Sequence, residues 1–449
     1  MNDKKPAEYT VESIQLSSER LPTPVELGKV VSDIDIYEHL DKPYLTGTIG
    51  FIDNLRIYEN ADLLGGEKVT IKLKSIRKDA KAITNHFYIK KIAFDRKVNE
   101  NEQLVILHLV EDIGFISNLQ NINKSYTGKV SKIVEKISSE YLDTDFEITG
   151  EDKQNVKVIV PNMHPIEAIK WLTQRATTIN GYPFYTFSTM AFQKLYMVDL
   201  GSMLEAPVIN PNIAYKYDTT TNNTGSKTAK RRVIKGYQFG ADAEDLSKLI
   251  DKGLVGAKYK FLDTFQDYSG QREFDFDIIK DVAIPMLDAG IIDDQPNFPY
   301  SNAYLHNEKP FNKYQSNTIS LIRSSGAYRE SEELERTKSY GETSLESEYK
   351  LEVISRTMDN ILKKNVLTII VPGLDFIDGD KHSTIGNKIR VEFPHTKADG
   401  KKSEKRIDAK KSGNYLIYAV RHQFKKEKYD AILSLVKIGN VRRWYQKDI

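Results

Sequence analysis

The chain has 449 residues, 40% hydrophobic and 29% charged, and its 65 basic and 63 acidic residues leave a net charge of +2. That balance fits a globular chain with more than one core and excludes a surface that grips nucleic acid along its whole length. Cysteine is absent, which excludes disulfides and thiolate metal sites and fits assembly in a reducing cytoplasm. No apolar run approaches the roughly 20 residues of a membrane span. Met1–Pro6 has no apolar segment behind it, so no signal peptide is expected.

Apolar and polar residues alternate from Tyr9 to Leu16, as in a half-buried strand, and Val30–Tyr37 reads as its partner. Tyr44–Phe51 is a third strand. In Lys68–Lys74 the alternation is complete: Val69, Ile71 and Leu73 point one way and Lys68, Thr70, Lys72 and Lys74 the other. Leu104–Val110 is apolar at nearly every position, which predicts cover on both faces. Short strands separated by Gly and Asn turns predict a small antiparallel barrel within residues 1–115. The period then changes. Thr127–Tyr141 carries Val130, Ile133, Val134, Ile137 and Tyr141 on one helical stripe, with Thr127 placed to cap it. His164-Pro165 opens a second helix toward Ile179, with Gly181 past its end, and Tyr182–Val198 reads as two strands. Residues 116–218 are therefore expected to form an inserted α+β domain.

Thr219–Ser226 is a polar, low-complexity linker. Strand character resumes at Arg232–Phe239 and Lys258–Leu262. Residues 266–347 are irregular, and the polar Arg329–Glu348 stretch suits a segment that orders against a partner. Leu351, Ile354, Met358 and Ile361 mark a helix leading into the last strands. Those strands repeat an earlier pattern. Val366–Val371, Ile385–Val391, Tyr415–Val420 and Ala431–Val436 follow in the order of Tyr44–Ile52, Gly66–Ile71, Phe87–Ile92 and Leu104–Val110. Seventeen positions separate Ile49 from Gly66, and seventeen separate Ile369 from Gly386. Two copies of one module are expected, the second a discontinuous barrel from residues 219–265 and 348–449. The fold class is thus α+β, mainly β, with two small antiparallel barrels from an internal duplication and inserted α+β domains.

Catalytic and cofactor motifs do not emerge. No HExxH, P-loop, GxGxxG or GxSxG occurs, and the eight histidines lack the spacing of a helical metal pair. Neither a cofactor nor a metal is expected, and no catalytic residue is assigned. The acidic run Asp375–Asp380 lacks calcium-loop spacing and reads as a turn. Asp275, Asp277, Asp293 and Asp294 offer carboxylates for an alternative, a glycan-binding or glycan-hydrolysing module. Lys397–Lys411 is a basic loop, read as a solvated hairpin tip. Near the end, Arg442, Arg443, Trp444 and Tyr445 combine residue types that anchor interfaces, and they are candidates for a partner contact.

The order of these blocks resembles the baseplate hub protein of contractile-tailed, T4-like bacteriophages, related in fold to the N-terminal part of type VI secretion spike proteins. The resemblance rests on the first barrel, the helices at Thr127–Tyr141 and Pro165–Ile179, and the aromatic strand Tyr182–Phe187. It also rests on Ser324-Ser325-Gly326-Ala327-Tyr328 and the last hairpin Tyr415–Ile438. It implies a non-enzymatic virion protein of the tail baseplate, assembled in the host cytoplasm without stable membrane association. It further implies a homotrimer whose two barrels per chain make a pseudo-six-fold ring. That ring would join a six-fold tail tube to a three-fold central spike, leaving a channel for genome passage. Implied partners are the tube protein, the spike, the tape-measure protein, baseplate wedge proteins and transient nucleic acid. Lys68, Thr70, Lys72, Lys74, Lys388 and Arg390 would then line the ring, and residues 266–347 would contact spike or baseplate.

Overall fold

The computed structural model describes residues 9–77, 79–99, 102–153, 155–211, 214–217, 232–240, 246–253, 257–263, 272–275, 282, 284–288, 305–314, 317–323, 343–363, 366–394, 407–408, 411–426 and 428–437. The fold is mainly β. Seven strands come first: β1 (Tyr9–Ser17), β2 (Val25–Glu26), β3 (Val31–His39), β4 (Thr46–Asp53), β5 (Lys68–Ser75), β6 (Ile83–Asn99) and β7 (Glu102–Glu111). They lie in the order β3-β4-β7-β6-β5-β1-β2. The partner of β1 is therefore β5, and not β3 as adjacency in sequence suggested. Alternation fixes which face a strand buries, but both faces of the choice look alike to it, so it does not choose the neighbour.

On β5 the alternation is realised, with Val69, Ile71 and Leu73 buried and Lys68, Thr70, Lys72 and Lys74 half-exposed. On β7 only one face is closed. Val105, Leu107 and Leu109 are buried, while Leu104, Ile106 and His108 stay half-covered, less than an all-apolar strand implied. The core beneath joins Ile14, Leu16, Ile49, Phe51 and Phe87 to Phe424 and Tyr429 from the far end of the chain. Phe424 and Tyr429 stack at 4.3 Å, and Tyr9 packs on Phe424 at 4.9 Å. Burying each such side chain contributes about 1.5–3 kcal/mol.

The middle of the chain supplies β8 (Ile122–Lys129), β9 (Phe146–Thr149), β10 (Asn155–Met163), β11 (Phe184–Phe187) and β12 (Leu195–Asp199). β8 pairs with β10, and β11, β12 and β9 form a three-stranded sheet. The helix Val130–Ile137 buries Val130, Ile133, Val134 and Ile137, as its stripe predicts. Thr127 does not cap it, because β8 continues to Lys129. The cap comes from a distant residue instead: the Asp152 carboxylate accepts from the Ser131 amide at 3.2 Å and its hydroxyl at 2.6 Å. The second helix starts at Pro165 but ends at Thr173, short of Ile179. Beyond it the backbone is drawn into other bonds, the Lys153 amide donating to Thr177 and the Thr178 amide to Tyr182.

Next come β13 (Tyr215–Lys216), β14 (Gly236–Phe239), β15 (Ala257–Asp263), β16 (Arg272–Asp275), β17 (Leu305–His306), β18 (Lys309–Pro310) and β19 (Asn317–Arg323). β15 pairs with β16 and β19 in a sheet of its own, and not with the strands of the second repeat. The helix Thr343–Leu362 buries Leu351, Ile354, Met358 and Ile361. It leads to β20 (Val366–Pro372), β21 (Lys388–Glu392), β22 (Gly413–Lys425) and β23 (Lys428–Val436).

These last four strands pair in the order β20-β23-β22-β21, and the matching strands of the first half pair as β4-β7-β6-β5. Outside β4 lies β3, and outside β20 lies β14. A bond between β22 and β3 joins the halves into one 13-stranded sheet. Among the described residues no helix is long and apolar enough to cross a membrane.

Candidate assembly interface

The join between the halves is built from the length of β22. Gly413–Leu416 pair with β21, and the strand then runs on past its neighbour's end. The freed edge, Ala419–Lys425, takes β3 antiparallel, Ala419 opposite His39 and Lys425 opposite Asp33. Asp35 and Glu38 of β3 are consequently buried. The Arg421 guanidinium donates to both Asp35 oxygens, Nε at 3.0 Å and the terminal nitrogen at 2.9 Å, a planar fork on a carboxylate that is 7% exposed.

Deeper in, Glu38 Oε1 accepts the Met190 amide at 2.6 Å and lies 3.4 Å from His422 Nε2. His422 Nδ1 is 2.7 Å from the Tyr429 hydroxyl. Burial pushes the Glu38 carboxyl upward, but His422, the Thr384 hydroxyl and the Met190 amide outweigh it and hold the group below its ordinary range. A second tie runs through Asp375. It receives Arg77 on one oxygen, and Arg232 at 2.9 Å and the Tyr215 hydroxyl at 3.1 Å on the other. Arg77 follows β5 in the first half, whereas Arg232 and Asp375 belong to the second, so this carboxylate pins one to the other. The run Asp375–Asp380 is thus a turn whose first acid is neutralised by arginines. Among the described residues no three acidic or histidine groups gather as a metal site.

Two turns, one in each half of the sheet, share a pattern of single bonds. Gly66 and Gly386 both adopt positive φ, +87° and +78°. In the first half the Gly66 amide donates to Ile89, and the Ile89 amide donates to Glu67. In the second, Gly386 donates to Ile417 and Ile417 to Asn387. One residue later the ladder slips in both, between Ile89 and Lys91 and between Ile417 and Ala419. A bulge at matched positions bends both strands alike.

Lys68, Thr70, Lys72 and Lys74 share one face of β5, where Lys72 meets Glu12 at 2.8 Å and the Thr70 hydroxyl is 3.2 Å from His86. Lys388 and Arg390 lie on β21. Lys388 bonds the Leu204 carbonyl, and Arg390 sits 3.2 Å from Glu392. The two groups stand on separate strands of the large sheet, and the single chain does not bring them together. Asp275 ends β16 opposite Lys258. Asp277, Asp293, Asp294, the Ser324–Tyr328 stretch and Arg442, Arg443, Trp444 and Tyr445 lie outside the described residues, as does most of Lys397–Lys411. Sequence reasoning missed Asp35, Glu38, His422 and the arginines on Asp375. The one available signal was the three acidic positions Asp33, Asp35 and Glu38 within the β3 stretch.

No family model matches this chain, and no curated protein does. Solved structures do. A tail protein from Neisseria meningitidis MC58 superposes with a TM-score of 0.53 at 11% identity, covering 96% of each chain. The chain shares the fold of that tail protein. A 43 kDa tail protein of prophage MuSo2 from Shewanella oneidensis gives 0.52 at 10% identity, over 95% of this chain and 98% of that one. Full-length coverage in both directions means that the order of elements, and not one common module, is shared.

Proposed function

We propose that this chain is a structural baseplate hub of a contractile phage tail, without enzymatic activity, that assembles as a homotrimer. The observation that carries the reading is the recurrence of one strand order, one glycine turn and one bulge in two halves of a continuous sheet. We read that recurrence as an internal duplication giving two tube-like barrels, in residues 1–115 and in 219–256 with 348–449, β15 falling instead in the sheet with β16 and β19. Residues 116–218 would be the inserted domain, and residues 266–347 the part that meets spike or baseplate proteins. Closed rings need matching surfaces on each member. Three chains with two similar modules each offer six near-equivalent surfaces, while their other domains keep three-fold symmetry. Such a ring can seat a six-fold tail tube on one side and a three-fold spike on the other. The polar faces at Lys68–Lys74 and Lys388–Arg390 would line a channel for the genome. The tail-protein fold, shared over nearly the whole chain, supports a place in the virion tail. Light scattering tests the reading. A particle of three times 51.4 kDa, about 154 kDa, with six lobes in electron images supports it. A monomer at all concentrations, alone and with its spike, refutes it.

A further inference from the structure

The junction between the halves leaves its own counterpart unfilled. β22 receives β3 along Ala419–Lys425, just beyond the bulge. The matching stretch of β6, beyond the matching bulge, is Lys91–Lys97. Among the described residues β6 pairs with β5 only as far as Tyr88, and no strand lies along that edge beyond it. Exposure agrees. Tyr418 and Val420 are buried, whereas their counterparts Lys90 and Ile92 are exposed and half-exposed. The other end of the sheet has the complementary lack. β14 stands to β20 as β3 stands to β4: Tyr237 opposes Ile369 as Ile34 opposes Ile49. Yet Ile34, on a strand flanked by β22, is 2% exposed, and Tyr237, on a strand with no outer partner among the described residues, is 40% exposed.

We infer that the Lys91–Lys97 edge of β6 docks β14 of a second copy of this chain, antiparallel, in the register by which β22 takes β3. An open edge of unpaired amides and carbonyls is a template for strand addition. The two edges lie at different places on the chain, so the contact is head-to-tail. Such contacts close into a ring or run on as a filament; the closure at three rests on the hub reading. Transferring the register puts Asp95 opposite Gln238, as Gln423 is opposite Asp35, and Ala93 opposite Gly240, as Arg421 is opposite Tyr37. The bonding phase agrees as well. The Leu40 amide donates to Tyr418, so Asp35 falls at a pair without mutual hydrogen bonds. The Gly240 amide donates to Val366, so that of Gln238, two residues back, also faces β20. Tyr237 and Phe239 then present their amides to the open edge.

A cysteine pair tests this in a chain that has none. Cα atoms at such a pair stand about 4.5 Å apart, within disulfide reach. The full-length double variant Asp95→Cys with Gln238→Cys, oxidised and run without reductant, should give covalent dimers and trimers that reductant removes. Each single variant should run as a monomer. A trimer by light scattering that does not cross-link overturns the edge assignment and leaves the hub reading standing. A ladder extending past three supports the edge assignment and overturns closure at three. A chain that stays monomeric and does not cross-link, alone and with its spike, overturns both. As a second variant, Tyr237→Pro removes an amide that faces outward while sparing the bonds to β20. It should keep the wild-type circular dichroism spectrum and lower the particle mass threefold; an unchanged mass overturns the assignment.

Discussion

Replacing Glu111 by Gln should flatten the pH dependence of stability. Glu111 ends β7 and is 1% exposed. One carboxyl oxygen accepts the Leu45 amide at 2.6 Å, and the other meets the Ser188 hydroxyl at 2.9 Å. Burial strips water from the charged form and, with repulsion from Asp112, outweighs the hydrogen bonds from Leu45, Ser188 and Gln193 that favour the charge, so the group rises from an ordinary 4.5 to about 8. The folded state therefore holds a proton that the unfolded state has released between these limits. This raised group contributes stability that is fully present below about pH 4.5 and is lost as pH rises through about 8. At ~1.4 kcal/mol per pH unit, the whole span amounts to roughly 5 kcal/mol. A Gln at this position resembles the protonated acid: its carbonyl accepts from Leu45 and its amide donates to Ser188. Urea unfolding of both proteins from pH 5 to pH 9 measures the effect. Near pH 5 the two should differ little. Near pH 9 the variant should be the more stable by several kcal/mol. A difference between the proteins that stays constant with pH would show that Glu111 keeps its proton in neither state or in both, and would refute the reasoning.

Arg421→Ala should destabilise the chain by about 2 kcal/mol, since it leaves the buried Asp35 carboxylate without its fork, with the arginine's own partial exposure limiting the loss. Chemical denaturation reads this directly, and Arg421→Lys should recover only part, because one ammonium does not span both oxygens as a guanidinium does. Gly66→Ala and Gly386→Ala each place a Cβ at a positive φ, and each should cost about 1–2 kcal/mol. Thermal unfolding of both variants tests whether the two turns are equivalent; a loss confined to one of them would contradict the matched geometry.

Period was legible where one face of an element is wet. Val69, Ile71 and Leu73 declared the inner face of β5, and Val130, Ile133, Val134 and Ile137 that of a helix, because solvent on the other side forces the alternation. Boundaries were less legible. Thr127 had the chemistry of a cap, but Asp152, 21 residues beyond Ser131, performs the capping, and a composition near the helix start carries no record of that. The fate of β15 was hidden for the same reason, since its apolar residues fit two sheets equally and pairing with β19 was settled in three dimensions.

The sequence alone determined strands with one wet face, such as β5, and the order in which one pattern occurs twice, because side-chain period and turn residues act over a few positions. Only the tertiary structure decided which edges meet. Asp35 and Arg421 lie 386 residues apart, and neither is marked as a partner by its neighbours. Their pairing follows from β22 outrunning β21 and exposing an edge that β3 can fill. Backbone amides and carbonyls are the same in every strand, so the choice among edges is made by strand length, bulge position and the packing that brings two edges within bonding distance.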